Sequence, residues 1–186
     1  MKEVQTHRRD LNSEDRENIN LYMNTSSNIN SLLRTGRLLK GSITERIKPE
    51  VKKIIKSIQK APKFKLGYPT VVYRGITKKS YSNLKTGKVY KDKGFVSTTF
   101  ISEIADDFND GKNYQARIFL TSRDEGAYLP VLCNRFATEP EFKFKDYTKE
   151  HELLLPKGTT FKVLGHSYNS KLDKYFVNLQ VVSNYE

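Results

Sequence analysis

The sequence is poor in features that secreted or membrane proteins depend on. Cysteine occurs once, at Cys133, so no disulfide can form within the chain, and folding does not require an oxidising compartment. Residues 1–10 are polar, and no stretch approaches the roughly 20 apolar residues of a membrane helix. We therefore expect no signal peptide, no transmembrane segment and no membrane partner.

Metal-binding and glycine-rich phosphate-binding patterns are also missing. His7, His151 and His166 are scattered, and no Cys/His spacing matches a zinc site. The chain contains neither a Walker-type loop nor a GxGxxG motif. These absences predict that the protein holds no metal and does not cradle phosphate in a glycine-rich loop.

Charge and aromatic residues are abundant. The 186 residues fit one domain, and 11 Tyr and 10 Phe offset an apolar content of only 37%. The net charge of +12 favours anionic partners such as nucleic acid, an acidic protein surface or a dinucleotide, although it also suits a merely solvated surface.

Periodicity changes along the chain from helical to extended. Residues 13–60 have helical spacing, with a break at 24–28, a cap at Gly36 and a fresh start near Pro49. Residues 69–186 alternate as strands do, with one helix at 102–108. The predicted strands are 70–76, 95–99, 114–122, 127–132, 151–155, 160–164 and 175–182. This order predicts an α+β fold with mostly antiparallel sheets, in a single domain over 1–186 whose residues 1–12 are flexible.

Three clusters are unusual for their positions in strands. Alternation places Arg74 of VVYRGI on the apolar face of its strand, where a guanidinium is costly unless it meets an anion such as phosphate. Ser97 and Thr99 share a face and could orient a carboxylate. In an extended strand Glu150 and Glu152 would also share a face, so two carboxylates could divide one reaction between them. Each cluster has a structural alternative: an edge arginine, ordinary strand hydroxyls and a charged edge strand.

In this order the clusters resemble the Arg-Ser-Glu class of mono-ADP-ribosyltransferases, which includes binary actin-modifying toxins and small phage enzymes. RIFL followed by GAYL, at 117–129, is similar to the strand pair before the catalytic loop of the toxins. EHELLLPKGTTFKV, at 150–163, resembles their Glu-x-Glu strand, and the segment from Tyr22 to Arg34 resembles the helix beside the NAD pocket. The resemblance implies a split β-sandwich of two antiparallel sheets with N-terminal helices.

The resemblance also implies roles for individual residues, with NAD as co-substrate. Arg74 would hold the NAD phosphates, the Gly75 backbone would meet the nicotinamide amide, and Ser97 would orient Glu152. Glu152 would stabilise the oxocarbenium-like transition state, and Glu150 would activate the acceptor. The expected NAD-binding side chains, besides Arg74, are Phe108 stacked on nicotinamide and then Asn30, Arg34 and Lys112.

The acceptor and the cellular setting remain open between alternatives. The Glu-x-Glu form predicts transfer to arginine on a protein in a host or target cell, by a monomeric phage-type enzyme or a delivered toxin acting in the cytoplasm. The charge of +12 motivates a second hypothesis, transfer to RNA or DNA. A third is a non-catalytic basic module that binds nucleic acid or protein, and NAD hydrolysis could accompany the first. Two departures from the family are a longer loop at 136–149 and Ser-Thr-Thr in place of Ser-Thr-Ser.

Overall fold

The computed structural model describes residues 11–40, 47–107, 113–129 and 151–183. Its helices are α1 (Ser13–Thr35), α2 (Val51–Lys60), α3 (Lys78–Asn83) and α4 (Ser102–Asp107). Its strands are β1 (Phe64–Lys65), β2 (Thr70–Gly75), β3 (Val89–Lys91), β4 (Val96–Thr99), β5 (Tyr114–Leu120), β6 (Glu125–Tyr128), β7 (Glu152–Leu155), β8 (Thr160–Asn169) and β9 (Lys174–Ser183).

Helix α1 is one long element where the sequence predicted two. It begins after Asn12, whose side chain accepts a hydrogen bond from the Asp15 amide, and it ends at Gly36 in the left-handed conformation (φ 75°). The expected break is only a kink at Thr25, because this buried hydroxyl bonds the Leu21 carbonyl at 2.6 Å and the helix continues past it. Leu11 is buried and Asn12 caps the helix, whereas residues 1–10 of the segment expected to be flexible lie outside the described residues.

Helix α2 packs against α1 and starts at Val51, just after Pro49, as predicted. Ile54 and Ile58 face the interior, while the lysines lie on the opposite side. The predicted helix at 102–108 and the predicted strand at 127–132 each end outside the described residues.

The nine strands form one hydrogen-bonded ladder in the order β1-β6-β7-β4-β2-β5-β9-β8-β3. A single residue pair, Tyr73 with Thr99, joins the half-sheet β1-β6-β7-β4 to the half-sheet β2-β5-β9-β8-β3. The two half-sheets pack face to face, because one core cluster contains Leu153 and Leu155 of the first together with Ile118 and Val177 of the second. The split β-sandwich is therefore confirmed, with its two sheets still connected at one seam.

One strand pair departs from the antiparallel arrangement that we predicted for both sheets. Strand β9 forms a hairpin with β8 and then lies parallel to β5, so this pair is parallel while every other described pair is antiparallel. Strands β1 and β3 and helix α3 were not predicted. Strands β1 and β3 have only two and three residues, too few for alternation to show, and helix α3 has no buried residue and therefore no apolar stripe.

Strand β7 is buried on both of its faces. Leu153 and Leu155 point into the sandwich, whereas Leu154 joins a second core cluster with Phe95, Ala127 and the helices. A strand covered on both sides reads as a continuous apolar run, which explains the sequence ELLL. Glu152 shares the face of Leu154 and is directed towards α1.

Candidate active site

Arg74 lies at the seam where the two half-sheets separate. Its strand β2 places it on the face of the buried Val72, and its Nη1 donates a 2.8 Å hydrogen bond to the Ser97 carbonyl of β4. Burial lowers the pKa of Arg74, and the neighbouring Arg34 cation lowers it further, against the raising effect of Asp92 and Glu152. The guanidinium remains protonated, so this half-buried cation is well placed to receive an anion.

Glu152 opens strand β7 and is paired in register with Thr99 of β4. Antiparallel pairing therefore puts Glu152 on the same face as Ser97, and its side chain is only 7% exposed. His151 has a φ of 45°, a left-handed value that interrupts the extended chain just before the strand. The strand expected at 151–155 thus begins one residue later, at Glu152. Because His151 is not extended, strand alternation does not place Glu150 on the same face as Glu152.

Helix α1 supplies a third wall of the site through Asn30 and Arg34. Asn30 accepts a hydrogen bond from the Phe95 amide at 2.9 Å and donates one to the Tyr22 hydroxyl at 3.1 Å. Arg34 forms a bidentate pair with Asp92, with distances of 2.8 and 3.0 Å, and also donates to the Phe95 carbonyl. Both side chains consequently tie α1 to the segment that leads into β4.

These walls enclose a cavity of about 460 Å³, within the range of roughly 300–1,000 Å³ typical of ligand pockets. Among its lining residues are the six predicted site residues that the structure describes: Asn30, Arg34, Arg74, Gly75, Ser97 and Glu152. These residues lie in four separate segments of the sequence, and the fold brings them to one cavity. Phe108, Lys112 and Glu150 lie outside the described residues.

A second cavity, of about 540 Å³, adjoins the first. Arg34 and Arg74 line both cavities, so their guanidinium groups stand between them. The second cavity has apolar lining residues, among them Ile118 and Leu179, and Lys91 and Lys93 add positive charge to it. The positive charge at the site therefore extends past Arg74, which suits a ligand that carries more than one phosphate.

Sequence reasoning gave no role to three residues that shape this site. Tyr22 is fully buried, with its hydroxyl bonded to Asn30. Asp92 lies between two lysines in the sequence, and it holds Arg34 and accepts a hydrogen bond from the Gly94 amide at 2.8 Å. Only a Gly fits at position 94 without movement, because an added Cβ would lie 2.8 Å from the Asn30 Oδ1. The available signal for Asp92 and Gly94 was the KDKG turn immediately before β4, and Tyr22 begins the segment that resembles the helix beside the NAD pocket.

No group of three or more His, Cys, Asp or Glu side chains in the described ranges is arranged to hold a metal ion. None of the helices placed by the structure combines the length and the apolarity required to traverse a bilayer.

Comparison with known protein families shows the family of the chain. The family model for ADP-ribosyltransferase exoenzymes matches residues 1–184, and the chain belongs to that family. The enzyme is an ADP-ribosyltransferase that uses NAD as co-substrate. No curated protein sequence matches the chain.

Solved structures share the fold at low sequence identity. Plx2a, an ADP-ribosyltransferase toxin from Paenibacillus larvae, is 19% identical with a TM-score of 0.66, over 98% of this chain and 92% of that one. C3stau2 from S. aureus with NAD is 19% identical with a TM-score of 0.65, over 98% of this chain and 92% of that one. Exoenzyme S from Pseudomonas aeruginosa was solved in complex with human 14-3-3 protein beta and bound to carba-NAD. It is 18% identical with a TM-score of 0.63, over 94% of this chain and 76% of that one.

Proposed function

We propose that this enzyme transfers ADP-ribose from NAD to an arginine side chain of a protein in a host or target cell. The observation that carries the proposal is that Arg74 and Glu152 line the same cavity. Arg74 supplies a half-buried cation for the diphosphate, and Glu152 supplies a buried carboxylate for the charge that develops on the ribose.

NAD binding is assigned to the cationic side of the cavity. The Arg74 guanidinium presents a planar set of donors that matches phosphate oxygens, and one of them is already fixed by the Ser97 carbonyl. Gly75 lines the cavity with no side chain, so its backbone can approach the nicotinamide amide closely. Arg34 is held by Asp92, and with Asn30 it forms the helical wall against which NAD lies.

Glu152 acts on the bond between nicotinamide and ribose. When that bond breaks, its electron pair leaves with nicotinamide and positive charge develops on the ribose. A carboxylate held beside the ribose stabilises this charge more in the transition state than in the ground state, and so accelerates cleavage. Ser97, on the same face, orients the carboxylate.

The second half of the reaction is assigned to Glu150. An arginine nitrogen attacks the ribose carbon, and Glu150 positions the guanidinium and takes up its proton. The choice of arginine as the acceptor depends on the Glu-x-Glu spacing of Glu150 and Glu152, which goes with arginine acceptors in the family that this sequence resembles. Phe108 is assigned to stack on nicotinamide, and Lys112 is assigned to help hold NAD.

The role of Glu152 is tested by measuring nicotinamide release from NAD. Glu152→Gln keeps the shape of the side chain but removes its charge, so kcat should fall by roughly a hundredfold to a thousandfold. Glu17→Gln, an exposed change on α1, is the matched control and should leave kcat unchanged. Equal activity of the Glu152→Gln variant and the wild type would refute the assignment.

The acceptor is tested with labelled NAD and a host-cell lysate, followed by mass-spectrometric mapping of the modified residues. We expect the label on arginine, and we expect Glu150→Gln to lose transfer while it retains NAD hydrolysis. Label on another residue type would reject arginine as the acceptor, without affecting the assignment of Arg74 and Glu152 to NAD cleavage.

A further inference from the structure

We infer that Gln115 is a positioning residue, which acts with Asp106 and Lys174 to hold helix α4 in place so that Phe108 can stack on nicotinamide. Phe108 follows α4 directly in the chain, and the inference rests on its proposed role. In the described part of the chain, neither cavity is lined by Asp106, Gln115 or Lys174. The three side chains therefore act on nicotinamide through α4 and do not meet it themselves.

Gln115 is a polar side chain with 0% of its surface exposed. Its neighbour Ala116 belongs to the core of the sandwich, so strand alternation directs Gln115 to the opposite face of β5, where α4 lies. An amide group is costly to bury unless its polar atoms are paired. Its hydrogen-bond partners consequently indicate what it does.

The Gln115 amide is bonded to residues near both ends of α4. Its nitrogen donates to the Ser102 carbonyl at 2.8 Å and to the Asp106 carboxylate, and its oxygen accepts from the Ser102 hydroxyl at 3.1 Å. Because a carbonyl and a carboxylate can only accept, the orientation of the amide is fixed. The Lys174 ammonium of β9 donates to the other Asp106 oxygen at 2.6 Å. These bonds join α4 to two strands of the sheet beneath it.

Helix α4 depends on these bonds because it has little apolar contact. Of its six residues, all of them described, only Ala105 is buried. A helix this short is not stable by itself in water, so its contacts with the sheet decide where it lies. Lys174 is only 13% exposed, and its charge offsets that of Asp106 within the network.

The chain is held in this way on both sides of residues 108–112, two of which are assigned to NAD. Before this segment, Asp106 is bonded to Lys174. After it, Asn113 donates to the Asp173 carboxylate at 2.9 Å. Asp173 and Lys174 are consecutive residues where β9 begins, so a single turn of the chain holds both sides of the segment.

The network lies on the nicotinamide side of the proposed site. Gln115 is paired in register with Gly75 of β2, which lines the cavity and is assigned to the nicotinamide amide. The residue that holds α4 thus also borders the strand end that meets nicotinamide. A displaced α4 should weaken the binding of nicotinamide and should not affect the binding of the phosphates, which is assigned to Arg74.

The test is inhibition of NAD cleavage by nicotinamide and by ADP-ribose, measured with NAD labelled in its adenine. Gln115→Met keeps the length of the side chain and removes its hydrogen bonds, so the Ki for nicotinamide should rise by about tenfold, the scale of one lost stacking contact. The Ki for ADP-ribose should stay within about twofold of the wild type, because the phosphate contacts are separate.

The matched control is Gln180→Met, the same substitution on β9. Gln180 alternates with the core residues Leu179 and Val181, so it lies on the outer face as Gln115 does, but its neighbour in register on β5 is Phe119. The control should leave the Ki of both inhibitors unchanged.

A second variant, Lys174→Met, opens the same network from its outer end and decides the test alone if Gln115→Met does not fold. It should raise the Ki for nicotinamide by about threefold, since one bond to a charged group is lost and the bonds to Ser102 remain. In a Phe108→Ala background, neither variant should raise this Ki further.

A nicotinamide Ki unchanged in both network variants would overturn the inference. Equal rises in the Ki of nicotinamide and ADP-ribose would also overturn it, as would additive rises in the Phe108→Ala background. If Phe108→Ala alone leaves the nicotinamide Ki unchanged, the proposed role of Phe108 is wrong and the inference fails with it. A rise caused by Phe108→Ala but by neither network variant would overturn the inference and leave the proposed function intact.

Discussion

At the scale of single residues, Arg74 shows how a local anomaly in a sequence can indicate a binding site. Strand alternation alone placed its guanidinium on an apolar face, and the structure has it there, beside Val72 and bonded to the Ser97 carbonyl. Asp92 illustrates the reverse case. Its pairing with Arg34 spans 58 residues, and no local pattern could have indicated it.

Arg74→Lys should raise KM for NAD by about tenfold or more, because a lysine cannot bond the Ser97 carbonyl and a phosphate with one planar fork. The measurement is nicotinamide release at varied NAD concentrations. Arg117→Lys, on the neighbouring strand β5, is the control, since Arg117 lines neither cavity and lies over the Phe176 ring. An unchanged KM for Arg74→Lys would argue against a phosphate at this position.

At the scale of elements, the site depends on how closely α1 approaches the turn before β4. Gly94→Ala would introduce a Cβ 2.8 Å from the Asn30 Oδ1 and 3.1 Å from the Arg34 Nε. We expect a loss of roughly 1–3 kcal/mol in the free energy of unfolding, together with a higher KM for NAD because both side chains must shift.

The control for this change is Gly165→Ala, since an added Cβ there would meet no atom within 4 Å. It should change the free energy of unfolding by no more than about 0.5 kcal/mol. Denaturant melts of the two variants make the comparison. Equal stabilities would show that α1 does not need its close contact with the turn.

The contact between α1 and α2 contains the buried carboxylate of Asp15. Burial alone would raise the pKa of Asp15, but hydrogen bonds from Ser57 and Lys60 and the Lys60 charge outweigh it, so the pKa lies below its ordinary value. A depressed pKa contributes stability above the unfolded-state value, about 4, and this contribution is lost as pH falls through the folded-state value.

Asp15→Asn should therefore unfold more readily than the wild type at pH 7, and the difference should shrink on acidification below about pH 4. Thermal melts across this pH range measure the effect. Glu14→Gln is the control, because Glu14 is exposed and, among the described residues, its one ion pair is with Lys53 at 3.5 Å. A stability difference between Asp15→Asn and wild type that does not change with pH would contradict the account.

Periodicity predicted much of the order of helices and strands, but it did not predict the local irregularities or the direction in which strands pair. The long strands and both large helices have clear spacing, and Gly36 caps α1 as predicted. The kink at Thr25 and the left-handed His151 each depend on one residue within an otherwise regular pattern. The parallel pairing of β5 with β9 joins segments about 60 residues apart, and strand alternation is the same for either direction of pairing.

At the scale of the whole molecule, the net charge of +12 allows an acceptor that is itself anionic. Transfer to RNA or DNA is the alternative to transfer to arginine. Nuclease treatment of the labelled lysate separates the two, since label on protein survives it and label on nucleic acid does not. We expect the label to survive.

The proposed roles of Arg74 and Glu152 require NAD to lie in the cavity between α1 and the seam of the sandwich. The most direct measurement is a crystal structure of the enzyme with carba-NAD, the analogue found with Exoenzyme S. We predict that the diphosphate of the analogue contacts the Arg74 guanidinium, and that the five-membered ring carrying its nicotinamide lies beside the Glu152 carboxylate. An analogue bound elsewhere, with neither group in contact, would contradict the assignment.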